Sequence, residues 1–155
     1  MLYSLAMKLN EDQKFQLEEF TSQHGIRFIV LFGSRLNEYQ REDSDYDIAI
    51  SLYGTKTAAS NFELYSQILD GLCTILNIPY EKIDLADLDK ANVLLKYEIT
   101  IRGRLLFGDE LDYLELKSAA FREYIDAKGL RELETCLINK RQRLIMDALT
   151  EITSK

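Results

Sequence analysis

The run Val30-Leu31-Phe32-Gly33-Ser34, followed after ten intervening residues by Asp45-Tyr46-Asp47-Ile48-Ala49-Ile50, constrains this chain more than any other stretch. An apolar strand enters a Gly-Ser turn, and a second strand then opens on two carboxylates spaced i, i+2. Side chains alternate faces along a strand, so Asp45 and Asp47 share one face while Tyr46, Ile48 and Ile50 take the other. Carboxylates roughly 7 Å apart, at about 3.3 Å of rise per residue, repel one another unless a cation sits between them. Magnesium suits such a pair, because it takes one or two carboxylates and keeps its other positions for water and phosphate oxygens. The turn supplies the complementary feature. Gly33 lets the backbone approach a phosphate closely, and N–H groups opening the next helix, beginning at Ser34, can receive the anion.

Around this pair the hydrophobic pattern predicts alternating helices and strands. Asn10-Glu11-Asp12-Gln13 reads as a helix start with Asn10 as cap and Gln13 in the box position. That helix is expected to turn Phe15, Leu17 and Phe20 inward and to stop at Gly25. Ile26–Phe32 is an apolar run of strand length bounded by glycines, the mark of a buried strand. Residues 34–44 are too polar for a core element and read as a short helix followed by the loop Arg41-Glu42-Asp43-Ser44. A second strand is predicted over 45–51, and a loop at Gly54-Thr55-Lys56-Thr57. A helix over 61–76 carries the stripe Phe62, Tyr65, Ile68, Leu69, Leu72, Leu76. A third strand follows over 82–86, a helix over 90–103 and a short edge strand over 105–107 that ends at Gly108. Two helices, 109–127 and 129–152, are separated at Lys128-Gly129. The second places Leu130, Leu133, Leu137, Leu144, Ile145 and Ala148 on one face, interrupted by Arg141. Such a face packs on a core more often than on a partner.

Asp84 lies between Ile83 and Leu85, so its side chain points away from theirs. A carboxylate on a buried strand needs a metal or a base beside it. Asp43 offers a rival pair with Asp45, but it precedes the apolar alternation. Asp87 and Asp89 read as caps of the following helix. Ser34 can cap the short helix after it and hold a phosphate at the same time. Arg35 reads either as a phosphate contact or as a solvated surface arginine, and Arg102 and Arg104 pose the same choice. His24, beside Gly25, suits a helix C-terminus.

Composition narrows the function. The chain has 155 residues, 46% of them hydrophobic and 29% charged, enough for one compact unit with a small helical appendage. A net charge of −7 disfavours a long nucleic acid, whose affinity comes mostly from Lys and Arg on phosphates. It tilts a phosphate-handling enzyme toward a protein or small-molecule acceptor. Cys73 and Cys136 lie far apart with one histidine in the chain, which speaks against a zinc site and for two reduced thiols. No apolar run approaches the roughly 18 residues of a membrane helix, and the first residues lack the pattern of a secretory signal. Cytoplasm is the expected compartment.

Gly33-Ser34 followed by Ser44-Asp45-Tyr46-Asp47 resembles the signature of the polymerase-beta-like nucleotidyltransferases, and more narrowly that of the minimal nucleotidyltransferases (MNT) encoded as antitoxins beside HEPN-domain toxins. Lys82-Ile83-Asp84-Leu85-Ala86 is similar to the family's third carboxylate strand. The stretch from Ala91 through Ile101-Arg102-Gly103-Arg104-Leu105-Leu106-Phe107 resembles the elements that close the minimal domain. The likeness spans roughly residues 10–108; where the family carries small residues after the turn, Leu36 and Glu38 stand here. It implies an α/β fold, a small mixed sheet of the nucleotidyltransferase type flanked by helices, with a C-terminal helical hairpin. The domain would be residues 1–108, with 109–155 a helical extension packed on it.

The same resemblance implies Mg²⁺ held by Asp45, Asp47 and Asp84 as the catalytic carboxylates, with Asp84 taking the acceptor proton. It puts the nucleotide on Gly33, Ser34 and Arg35. The donor would be ATP and the acceptor a tyrosine hydroxyl of a cognate HEPN ribonuclease toxin, in a hetero-oligomer without direct nucleic-acid or membrane contact. Two rival readings are a small-molecule nucleotidyltransferase of the aminoglycoside-modifying kind and a catalytically silent antitoxin that acts by binding alone.

Overall fold

The computed structural model describes residues 9–36, 44–54 and 61–153. Helix α1 (Glu11–His24) begins on the expected capping box. The Asn10 side chain accepts from the Gln13 N–H at 2.7 Å, and the Gln13 side chain accepts from the Asn10 N–H at 3.1 Å. The helix ends on Gly25 in the left-handed region, with φ 65°. Leu17 is buried and Phe20 partly so, but Phe15 is 69% exposed. Two residues along a helix are about 200° around it, so Phe15 and Leu17 cannot share a face.

Strand β1 (Ile26–Phe32) occupies the predicted span, and the Gly-Ser turn closes into a 3₁₀ turn, Gly33–Leu36. The remainder of the expected short helix, Glu38, most of the Arg41–Ser44 loop and Thr55–Thr57 lie outside the described residues. Strand β2 (Tyr46–Leu52) leads through helix α2 (Phe62–Leu76) and a 3₁₀ turn (Tyr80–Lys82) to strand β3 (Ile83–Asp87). On α2, Ile68, Leu69, Leu72 and Leu76 are buried as expected. Phe62 is 84% exposed, because it is the first residue after the Asn61 cap and overhangs the core's edge.

Helix α3 (Val93–Tyr97) starts later than the pattern predicted, capped by Asn92, whose side chain accepts from the Leu95 N–H at 2.9 Å. It widens into a π-helical turn over Glu98–Arg102 before strand β4 (Arg104–Phe107). Asp87 and Asp89 therefore do not cap it. Asp87 Oδ1 accepts from the Asp89 and Lys90 N–H groups, and Asp89 braces the end of β2 through Ser51 Oγ at 2.9 Å and the Leu52 N–H at 3.1 Å.

The described strands form one mixed sheet in the order β3-β2-β1-β4, with β1 antiparallel to β2 and β4 and β2 parallel to β3. Parallel neighbours need a long crossover, and α2 provides it. One sheet face carries Ile29, Leu31, Ile48, Ile50 and Leu85 against Leu17 of α1 and Ile68 and Leu72 of α2. The other carries Phe28, Val30 and Ala49 against Ile99 and Tyr113. Tyr113 belongs to helix α4 (Glu110–Asp126); its hydroxyl donates toward the Ile99 and Thr100 carbonyls at 3.4 and 3.3 Å, and burial raises its pKa.

Helix α5 (Lys128–Thr153) follows directly. Its leucine face was expected to pack on the α/β body. Instead Leu130, Leu133, Leu137, Leu144 and Ile145 are between 49% and 62% exposed, so this face of α5 is not covered by the α/β body. The side chains of Ala148 and Ile152 are outside the described set.

Candidate functional site

Parallel register places Asp47 beside Asp84, with Tyr46 beside Ile83 and Ile48 beside Leu85. Neighbouring strands lie about 4.8 Å apart, so two carboxylates distant in sequence start from adjacent backbone positions. Tyr46 and Ile48 join the α1/α2 side of the core, and Ala49 the opposite side. Asp47 is therefore on the face turned away from α2, as the alternation predicted. Asp45 sits one residue ahead of β2 and is exposed.

The Gly33-Ser34 turn closes on this pair. Gly33 has φ 80°, and a Cβ built on it would fall 1.9 Å from Asp47 Oδ2, so the Asp47 carboxylate rests where any side chain at residue 33 would be. The Ser34 backbone N–H donates to Asp47. The Asp47 pKa is nonetheless raised. Burial is the largest cause, followed by the charge of Asp84; the Ser34 hydrogen bond opposes both, and Asp45 adds a smaller push. Asp84, expected to be buried, is exposed, because β3 is the edge strand of the sheet.

This donor set fits a magnesium ion. A divalent cation would offset both the burial and, less, the Asp84 charge that raise Asp47, and Asp47 and Asp84 are neighbours in the ladder. Among the described residues no three His, Cys, Asp or Glu side chains converge into a complete metal cage. A cation here must therefore draw further ligands from water and substrate phosphate, the pattern magnesium favours.

Arg35 is half-buried and held by protein groups, not a freely solvated surface arginine. Its guanidinium lies 3.9 Å from the Tyr46 ring centroid, and its Nε donates to the Ser44 carbonyl at 2.8 Å, with Nη2 donating to the same oxygen. It ties the turn to the residue preceding Asp45, a positioning contact the sequence did not disclose; the aromatic between the two aspartates was the available signal. Tyr65 was also missed as a neighbour of the site. Its hydroxyl donates toward the Leu85 carbonyl at 3.3 Å, and its pKa is raised by burial and then by the Asp84 charge. His24 is structural, with Nδ1 2.9 Å from the Phe20 carbonyl. Arg102 pairs with Glu98 at 3.1 Å. Cys73 and Cys136 are both free thiols. A cavity of about 670 Å³ lies along β4 and α1, lined by residues including Leu9, Lys14, Arg27, Arg104 and Phe107, and contains none of the three carboxylates.

The family model described as "Polymerase beta, Nucleotidyltransferase" matches residues 16–112, more than half of the chain. The chain belongs to this nucleotidyltransferase family. The matched span takes in the Gly33-Ser34 turn and all three carboxylates and ends early in α4. Among curated proteins, the nucleotidyltransferase is 24% identical over 116 residues to the protein adenylyltransferase MntA of Shewanella oneidensis, covering 74% of this chain and 78% of that protein. Among solved structures, it matches a chain of a toxin–antitoxin crystal structure with AMP-PNP at 22% identity and a TM-score of 0.62, over 81% of this chain and 97% of that one. A second match, at 20% identity and a TM-score of 0.57, covers 81% of this chain and 95% of a chain from the complex of tri-AMPylated Shewanella oneidensis HEPN toxin with MNT antitoxin. These structural likenesses establish the fold. Among the described residues no helix is long and apolar enough to cross a membrane.

Proposed function

We propose that this nucleotidyltransferase is an antitoxin that transfers AMP from ATP to a hydroxyl, a tyrosine's in our reading, of a HEPN ribonuclease toxin and thereby inactivates it. The observation that carries this reading is the in-register pairing of Asp47 with Asp84 against the Gly33-Ser34 turn. Its supports are the relative named as a protein adenylyltransferase and the fold shared with a complex holding an AMPylated HEPN toxin.

In this reading the Gly33-Ser34 backbone receives the triphosphate, and Arg35 fixes that turn to Ser44 ahead of Asp45. Asp45, Asp47 and Asp84 would hold Mg²⁺, which when bound neutralises phosphate charge and stabilises the attacking and leaving oxygens of an in-line displacement. Asp84 accepts the proton of the acceptor hydroxyl. The acceptor oxygen bonds to the α-phosphorus, the bond to the bridging oxygen breaks, and pyrophosphate leaves. Positioning and charge neutralisation dominate, as in other phosphoryl transfers. Asp45 and Asp84 are exposed, within reach of a hydroxyl borne by a large partner. Residues 1–108 carry the chemistry and 109–155 form the helical extension, and the site of action is the cytoplasm, where ATP and a ribonuclease toxin meet.

Mass spectrometry of HEPN toxin incubated with this protein and MgATP tests the reading. The toxin should gain mass in units of AMP on a hydroxyl side chain and stay inactive as a ribonuclease after the two are separated. Toxin that regains full activity and carries no added mass would replace modification with inhibition by binding alone.

A further inference from the structure

Helix α5 is about 39 Å long at 1.5 Å per residue, and every described side chain from Glu132 to Asp147 is exposed. Its departure from the body is fixed at the base. Arg131 Nη1 donates to the Tyr124 carbonyl at 2.6 Å, its guanidinium lies 3.8 Å from the Tyr124 ring centroid, and Tyr124 stacks on Tyr97 at 4.0 Å. Eight large apolar side chains from Leu130 to Leu149 are each 49% or more exposed. At 100° per residue, seven of them fall on a face about 160° wide. Each leaves roughly 80–100 Å² in water, so the seven offer about 560–700 Å² of apolar surface, most of the roughly 800 Å² per partner of a standard stable interface. An exposed apolar patch of that size marks an interaction surface.

We infer that the occupant of this face is α5 of a second copy of this chain, packed antiparallel about a two-fold axis between Leu137 and Ile138. The charges on the face select this partner. Glu134 and Arg141 lie in its middle, one heptad apart and opposite in sign. Antiparallel pairing sets Glu134 of each copy against Arg141 of the other, so the two charges at the centre of the apolar face are each matched. The same register sets Leu130 against Ile145. Parallel pairing would instead stack Arg141 on Arg141, within the cationic stretch Lys140, Arg141, Arg143. A polar pair inside an otherwise apolar helical seam is a device that specifies orientation and register. The interface is isologous, so it closes at two copies.

Sedimentation velocity of the full chain in reductant, which keeps the exposed Cys136 from forming a disulfide, should show a dimer at tens of micromolar. Arg141→Glu and Glu134→Arg should each weaken the dimer by about 100-fold or more, the scale of leaving an interfacial charge unpaired. The double variant E134R/R141E should dimerise again, because the swap restores both pairs. Unchanged thermal unfolding of the α/β body in all three variants would show that they fold. A monomeric wild type overturns the second-copy interface, as do single variants that still dimerise or a charge swap that stays monomeric. A wild type that is monomeric alone but joins a HEPN toxin in an Arg141-dependent complex overturns it equally, and assigns the face to that protein.

Discussion

Replacing Gly33 with alanine tests the link between the turn and the carboxylates most directly. Two penalties add. An L-residue at φ 80° costs about 1–2 kcal/mol relative to glycine. The new Cβ would also lie 1.9 Å from Asp47 Oδ2, 2.7 Å from Cγ and 3.0 Å from Cβ. Rotating Asp47 relieves the first two contacts but surrenders the Ser34 N–H hydrogen bond, while its Cβ is fixed by β2. Overpacking of this kind costs about 1–3 kcal/mol, so the expected loss is about 2–5 kcal/mol. For a chain of this size that lowers the unfolding midpoint by roughly 5–15 °C. Calorimetric binding of MgATP should fall with it, because the displaced carboxylate is one proposed to hold the metal. The cause is isolated by a double-mutant cycle. In an Asp47→Ala background the Oδ2 and Cγ clashes vanish, and Gly33→Ala should cost about 1–3 kcal/mol less. Equal cost in both backgrounds, or a Gly33→Ala protein within about 0.5 kcal/mol of wild type, would refute the claim that this glycine makes room for Asp47.

The other expectations follow from the same geometry. The double variant D45N/D47N keeps the shape and removes the charge, so titration calorimetry with MgATP should lose most of its heat, as should wild type in EDTA; undiminished heat places the metal elsewhere. Asp84→Asn should leave nucleotide binding largely intact, because Asp45 and Asp47 would still hold a cation on the triphosphate, while labelled-AMP transfer falls by about 100-fold or more; a variant as active as wild type would leave Asp84 without a part in proton transfer. A carboxyl whose folded-state pKa is raised favours folding when protonated, and that contribution is lost as pH rises through the folded value. Asp47 is raised above its ordinary 3.8, so Asp47→Asn should raise the metal-free unfolding midpoint at pH 7 by an amount that shrinks toward pH 4; a gain that does not vary with pH would contradict the charge argument. Tyr113→Phe removes a buried hydroxyl shared by the Ile99 and Thr100 carbonyls and should cost about 1 kcal/mol in urea unfolding, with no change in MgATP affinity.

What the sequence disclosed and what it hid have physical reasons. β1 was legible to the residue because glycines bound a nearly unbroken apolar run, and α1 because its cap is written in side chains that bond locally. The face that Asp47 takes was legible because strand alternation is local. Asp84's exposure was not: whether a strand lies inside or at the edge of a sheet depends on pairing order, which periodicity does not encode. The caps were misassigned for a related reason. Asp87 and Asp89 stand before a helix in sequence, yet β3 ends in a turn that hands Asp89 to the end of β2 and leaves Asn92 to open α3. Arg35 was ambiguous because its partners, Ser44 and Tyr46, are brought to it only when the turn and β2 meet. The α5 face misled because helical periodicity marks an apolar stripe without saying which molecule covers it.

The pairing of Asp47 with Asp84 is itself enforced by hydrophobic residues that take no part in chemistry. A slip of one residue between β2 and β3 would turn Ile83 and Leu85 from the α1/α2 core to the opposite face, so that register is closed. A slip of two would keep the faces but draw Asp84 alongside Asp45 or Ala49. It would also move Leu85 out of line with Ile48, and it would separate Leu88, whose N–H donates to the Ile50 carbonyl at 2.8 Å, from its acceptor. Like charges placed side by side destabilise a sheet in isolation. Here the burial of Ile48, Ile50 and Leu85 outweighs that repulsion and holds two carboxylates in a proximity they would otherwise avoid. Burial first, and the charge of Asp84 second, leave the Asp47 carboxylate raised in the folded, metal-free chain. That is why Asp47→Asn is expected to stabilise the metal-free protein while removing the metal binding proposed for it.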